Sequence, residues 1–185
     1  KKSKKPMVII GESALFSKTG QYIFETLKYF LAENNFITSN WNSLNILTKQ
    51  ASRVGAIDLG LYCINEKENF SFFDKLEEDC FKFIYLLGAD NFNFEKKDKF
   101  IVYQGSHGDK GAEIADIILP GAAYTEKNGL FVNLEGKLQF AYKASYPPGE
   151  SREDWKIIKE ISNLMKKPLD VHNIDDLRKI IIKKI

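Results

Sequence analysis

Apolar positions in this chain fall into two patterns: short unbroken runs that end on glycine, and longer stretches at helical spacing. Met7-Val8-Ile9-Ile10 stops at Gly11 and reads as a buried strand. From Tyr22, the residues Ile23, Leu27, Phe30 and Leu31 recur every three to four positions, which predicts an amphipathic helix capped by Ser17 and ending near Asn34-Asn35. Trp41, Leu44 and Leu47 have the same spacing, with Ser43 as a cap, so a second helix is expected to run to about Ala51. Gly55, Gly60 and Asn65 mark a loop, and residues 70–78 a short helix. Phe83-Ile84-Tyr85-Leu86-Leu87, Phe100-Ile101-Val102-Tyr103 and Ala115-Asp116-Ile117-Ile118-Leu119 are three further strands, closing on Gly88, Gly105 and Pro120-Gly121. Runs this apolar predict a mostly parallel sheet covered on both faces, an α/β three-layer domain.

Beyond Pro120 the pattern changes. Residues 130–133 and 137–140 flank Glu135-Gly136 as the arms of a hairpin. After Tyr146-Pro147-Pro148-Gly149, Ser151 is placed to cap a helix, with Asp154 as its capping-box partner. That helix presents Trp155, Ile158, Ile161, Leu164 and Met165 on one face and stops before Pro168. Asp175-Asp176 and Lys183-Lys184 suit the two ends of a final helix. The expected organisation is one α/β domain over residues 6–165 and a helical extension over 166–185.

Composition narrows the function. The 27 basic and 25 acidic residues leave a net charge of +2, too small to draw the chain onto nucleic acid. Arg53, Arg152 and Arg178 are the only arginines, whereas nucleic-acid readers favour the planar guanidinium. No stretch reaches the roughly 18 apolar residues of a membrane-crossing helix, and the apolar run after Lys1–Lys5 is too short for a signal-peptide core. Cys63 and Cys80 are the only cysteines, and His107 and His172 the only histidines. Two free thiols are expected, and neither a closed zinc site nor an iron–sulfur cluster has the about four ligands it takes. The first residue is Lys1, consistent with a processed product, a split-gene product or part of a longer chain.

Three groups of residues invite chemistry. Gly105-Ser106-His107-Gly108-Asp109-Lys110-Gly111 follows a strand and reads either as an anion-binding loop or as a tight turn; its G-x-x-G-x-x-G spacing matches neither nucleotide fingerprint. His107 beside Asp109 has the types of a general base and its orienter, but no nucleophile is placed by motif. Asp74, Glu77, Glu78 and Asp79 lack the spacing of a calcium loop and read as a solvated helix face. Phe70, Phe72, Phe73, Tyr142, Tyr146 and the Phe92–Phe94 loop carry more aromatic surface than strands and helices require; core packing and a permanent interface are both open for the loop.

The block from Ala115 to Gly136 resembles the molybdopterin oxidoreductase family: Ala-Asp-Ile-Ile-Leu-Pro, then Glu126-Lys127-Asn128-Gly129, then Val132-Asn133-Leu134-Glu135-Gly136, in that order. Tyr103–Asp109, the stretch from Pro147 to Ile158, Lys5-Pro6-Met7, Trp41 with Asn45-Ile46-Leu47, and Leu86–Asp90 are similar to the large iron–sulfur subunit of respiratory complex I. The resemblance runs from Lys5 to about Leu169. It implies a non-catalytic structural domain of the peripheral arm, supporting the iron–sulfur subunit during NADH-to-ubiquinone electron transfer. The clusters are expected in an N-terminal part or partner chain, with no cofactor, metal or catalytic residue in this one. Partners implied are other peripheral-arm subunits, above all the cluster-bearing part of the same subunit, with neither nucleic acid nor a membrane span. The implied location is the matrix side of the mitochondrial inner membrane, or the cytoplasmic side in a bacterium. The abundance of Lys, Asn, Ile and Phe, whose codons are rich in A and T, is expected of a mitochondrially encoded split subunit. Phe92, Phe94, His107, Asp109 and Lys110 are the candidate interface residues. The alternative is a cofactor-binding fragment of a molybdopterin-dependent oxidoreductase, with residues 105–111 holding pterin phosphate.

Overall fold

A computed structural model describes residues 3–61, 75–76, 80–90 and 94–184. They form an α/β fold in two compact units. Phe70, Phe72, Phe73, Phe92, Cys63 and the acids Asp74, Glu77, Glu78 and Asp79 lie outside the described residues. So does most of the helix expected over 70–78, of which Lys75 and Leu76 are helical.

The first unit holds the chain up to Leu61 together with Leu130–Gln139. Strand β1 (Val8–Gly11) leads into a short helix α1 (Glu12–Leu15) and then α2 (Gly20–Glu33). Ser17 does not cap α2: its hydroxyl donates to the Ala14 carbonyl, and Thr19 holds the cap position. Leu31 is the residue α2 buries fully. The helix expected over 41–51 is instead two strands, β3 (Trp41–Asn42), paired with β2 (Ile37–Thr38), and β4 (Leu44–Leu47), parallel to β1 with Ile10 opposite Ile46. Spacing of three fits either structure locally. The long-range β1 ladder decides for the strand, beginning with the bond from Val8 N–H to the Ser43 carbonyl at 2.8 Å. Helix α3 (Arg53–Asp58) occupies part of the expected loop. Glu12 is buried at the end of β1, paired with Arg53 at 2.8 Å and accepting the Lys49 N–H at 2.6 Å. That satisfies a carboxylate that would be costly to bury alone.

The second unit is built on a parallel sheet in the order β5 (Phe83–Leu87), β6 (Phe100–Gly105), β7 (Ile117–Pro120). Between β6 and β7 lies α4 (Lys110–Ile114). Leu76, Ile84, Leu86, Ile101 and Tyr103 form its core, with Phe81, Phe94, Ala112 and Ile114 packed around them. On the other face, Phe83, Leu87, Phe100 and Ile117 are each about half exposed among the described residues. The hairpin that belongs largely to the first unit is made by strands β8 (Gly129–Val132) and β9 (Leu138–Ala141), which pair around the Glu135-Gly136 turn, where Gly136 takes a positive φ of 76°.

Helix α5 (Asp154–Leu164) starts after Glu153, and no side chain caps it. Ser151 therefore does not act as the cap; its hydroxyl is buried without a partner. The helix ends at Leu164, before Pro168, and Lys166 turns the chain with φ 56°. Its inward face carries Asp154 and Ile157, while Leu164 and Met165 are exposed, a rotation from the expected face. Helix α6 (Ile174–Lys184) has Asp175 and Asp176 in its first turn and Lys183 and Lys184 in its last, as charge and dipole require. Asn173 supplies the cap, its side-chain oxygen accepting the N–H groups of Asp175 and Asp176 at 2.9 Å. The Arg178 guanidinium lies 5.3 Å from the Phe140 ring centre and 5.7 Å from that of Tyr142.

Candidate functional site

In an open parallel sheet, ligands bind beyond the carboxyl ends of the strands. Here that edge is made of Asp90 after β5, residues 105–111 after β6 and Gly121 after β7.

Its centre is Tyr103, a core residue of β6. The Tyr103 hydroxyl donates to the Asp90 carboxylate at 3.0 Å and lies 3.2 Å from the His107 carbonyl. The loop wraps the ring closely. A Cβ on Gly105 would stand 2.1 Å from the Tyr103 hydroxyl oxygen, and one on Gly111 2.7 Å from the ring and 2.9 Å from an Asp90 oxygen. Two of the three glycines are thus needed for the tyrosine, whatever else the loop does. Burial pushes the Tyr103 hydroxyl up to about 12, helped by its bond to Asp90 and by the charges of Asp90 and Asp109. Two carboxylates, Asp90 and Asp109, thus lie near enough to act on the ring's hydroxyl. The ring therefore takes up the space beside Gly105 and Gly111 that a bound phosphate would need there.

The candidate residues of the loop are not gathered into a catalytic group. His107 is exposed, its Nδ1 2.9 Å from the Ser106 hydroxyl. Asp109 occupies the N-cap position of α4, without a side-chain cap bond, and exposed Lys110 begins that helix. Phe94 packs against the sheet core.

A second polar cluster joins β5, β6 and α5. Gln104 is fully buried. Its side-chain oxygen accepts the Tyr85 hydroxyl. Its amide donates to an Asp154 carboxylate oxygen at 2.9 Å, and Lys127 pairs with the other oxygen. The Tyr85 hydroxyl is pushed up, first by burial and then by the Asp154 charge.

A third feature holds the start of β7. Asp116 accepts the Ile101 N–H at 2.8 Å, and its own N–H donates to the Ile101 carbonyl at 2.8 Å. Lys96 binds its other oxygen at 2.6 Å. The Lys96 bond, with the Ile101 N–H behind it, holds this carboxyl below the usual carboxylate range.

The motif block is thus bound within the fold. Asp116 fixes β7, Glu126 accepts the Ala123 N–H at 2.9 Å, Lys127 anchors α5, and Asn133 accepts N–H groups of Glu135 and Lys137 in the hairpin turn. Gln104 and Asp154 carry this architecture, although neither type at its position signals it in the sequence. Beside β7 and α5 runs a groove of about 540 Å³ whose walls include Leu119, Pro120, Ile157, Ile161 and Leu164. Among the described residues, no three His, Cys, Asp or Glu side chains are placed to hold a metal ion, and no helix is long and apolar enough to cross a membrane.

The sequence pattern of molybdopterin oxidoreductases matches residues 1–164. The chain is 48% identical over 177 residues to the NADH-ubiquinone oxidoreductase 75 kDa subunit of Reclinomonas americana, covering 95% of this chain and 25% of that protein. It is 44% identical over 181 residues to the mitochondrial NADH-ubiquinone oxidoreductase 78 kDa subunit of Candida albicans, covering 95% of this chain and 24% of that one. With an NADH-quinone oxidoreductase subunit of Rickettsia felis it shares 41% identity over 179 residues, 96% of this chain and 25% of the relative. The chain thus spans about a quarter of the length of these relatives, and the resemblance read from the motif blocks is borne out along nearly all of its own length.

Proposed function

The chain belongs to the molybdopterin oxidoreductase family, and from that premise we propose that it is a non-catalytic structural domain of the peripheral arm of complex I. It supports the iron–sulfur part of the large subunit while electrons pass from NADH to ubiquinone. One observation carries this reading: Asp116, Glu126, Lys127 and Asn133, polar residues of the family's motif block, spend their hydrogen-bonding capacity on the fold itself. A domain that positions its neighbours needs such rigidity, because electron transfer between clusters depends on fixed distances. With two cysteines in all, cluster ligation belongs to the remainder of such a subunit, on this or another polypeptide. The partners are then the other peripheral-arm subunits and, above all, the cluster-bearing part. The setting is the matrix face of the mitochondrial inner membrane, or the cytoplasmic face in a bacterium.

The experiment is to tag the chain in its native cells, solubilise the respiratory membranes gently and resolve the complexes by size. Co-migration with NADH:quinone oxidoreductase activity is expected. A chain that migrates apart from that activity, or carries stoichiometric molybdenum or tungsten, overturns the reading.

A further inference from the structure

Helix α6 rests on the second unit without a fully buried residue; Ile174, Leu177, Arg178 and Ile181 are half-buried. Among the described residues, the side-chain hydrogen bonds and ion pairs of the helix stay within residues 172–178. The charged contact that reaches further is the Arg178 guanidinium, which lies over the rings of Phe140 and Tyr142, 5.3 Å and 5.7 Å from their centres. All three residues belong to the same unit.

The guanidinium is only partly served where it lies. Its Nη1 donates to Asp175 of the same helix at 3.2 Å. Its Nε and Nη2 are buried and meet no acceptor. Those two N–H groups form one edge of the planar fork, the edge that receives a carboxylate or a pair of waters side by side. The docked helix therefore forgoes the hydrogen bonds of that edge and has the two aromatic faces in their place. An α-helix of 11 residues is also too short to hold in water by itself, so α6 forms only as it docks. We propose that α6 is a strap fastened by Arg178. It undocks and unfolds as a unit while the β5–β6–β7 sheet stays folded, and the Nε–Nη2 edge regains acceptors each time it opens. Elements with little buried apolar surface are the ones that open locally in this way. Closed, the guanidinium lies against Phe140 and Tyr142; open, both rings and the guanidinium are released together.

The test is backbone hydrogen exchange read by mass spectrometry on the full chain as isolated from its native cells. Amides of residues 177–184 are expected to be protected, yet to exchange about a hundredfold or more faster than those of β5 and β6. Arg178→Met should speed them about tenfold further and leave β5 and β6 unchanged. Phe140→Leu, which keeps an apolar side chain but removes one ring, should act in the same direction. The two changes together should do less than the product of their separate effects, because they break one contact. Exchange of α6 as slow as that of the sheet would make it part of the same cooperative unit and overturn the proposal. Amides already unprotected in the parent would overturn it too, since no strap would then be closed. So would fast exchange that neither substitution alters, since Arg178 would not be what fastens the helix.

Discussion

The Tyr103 hydroxyl reaches the Asp90 carboxylate across 3.0 Å, joining the middle of β6 to the residue that follows the β5 turn. Because Gly105 and Gly111 of the adjoining loop abut the same ring, the contact sets how closely residues 105–111 can approach the sheet. Gly111→Ala is expected to cost about 1–3 kcal/mol, the range of an overpacked core, read from the midpoint of urea unfolding. Gly105→Ala should cost as much in the parent. The cost should persist in a Tyr103→Phe background, because the ring carbon Cζ would still stand 2.3 Å from the new Cβ, and should be clearly smaller in a Tyr103→Leu background, where the end of the ring is gone. Equal costs in the parent and in Tyr103→Leu would show that the ring is not what the glycine avoids.

Tyr103 also predicts an alkaline limit to stability. A phenol held at about 12 in the folded state, against about 10 when unfolded, keeps its proton longer in the native protein. The resulting stability is complete below pH 10 and is lost as the pH rises from there through 12. Unfolding midpoints measured from pH 9 upward should fall in the parent and fall less in Tyr103→Phe. Parallel curves for the two proteins would remove Tyr103 from the account.

Asp116 acts in the opposite direction. Its carboxyl is held low by Lys96 and the Ile101 N–H, so its contribution is present above the unfolded carboxylate value of about 3.9 and is lost as the pH falls through the lower folded value. Asp116→Asn should therefore be less stable than the parent at pH 7, and the gap should close in acid. A gap that persists unchanged to pH 2 would assign the loss to packing.

The Gln104–Asp154–Lys127 cluster predicts unequal costs. Asp154→Ala leaves the buried Gln104 amide without its 2.9 Å acceptor, a loss of about 1–3 kcal/mol. Lys127→Met removes a partner that is one-third exposed and should cost less, about 1 kcal/mol or below. Thermal unfolding of the two variants and their double gives the ordering; a larger loss for Lys127→Met would contradict it.

Ser151 separates a cap from an orphan. A capping serine loses about 1 kcal/mol on change to alanine. Ser151 has a buried hydroxyl with no partner, so Ser151→Ala should leave stability unchanged or raise it. A loss near 1 kcal/mol in urea unfolding would restore the capping role.

Much of this architecture was legible along the chain. The runs at 83–87 and 100–103 appear as β5 and β6, because unbroken β-branched and aromatic residues ending on glycine have few other solutions. The segment at 41–51 was not legible, because its partner β1 lies more than thirty residues earlier and local spacing cannot see it. The face of α5 was misjudged for a related reason: Asp154 is drawn inward by Gln104, and this turns Ile157 rather than Leu164 towards the sheet. At the loop, the glycines were visible but their purpose was not. Only the position of the Tyr103 ring shows that two of them make room for a side chain of the protein's own. Sequence likewise could not tell that the Phe83 and Phe100 rings stack on one face, since that depends on the register of β5 against β6.

Gln104 and Asp154 are fifty residues apart, and that interval has a temporal meaning. While the polypeptide leaves the ribosome, β5, β6 and β7 can assemble well before α5 exists to cover them. For those seconds, at about 5–20 residues per second, the nascent sheet holds Gln104 without its Asp154 acceptor. The newly made protein is thus most vulnerable to aggregation in this interval, and a chaperone that shields Gln104 and its neighbours during synthesis would hold the place that Asp154 of α5 takes later.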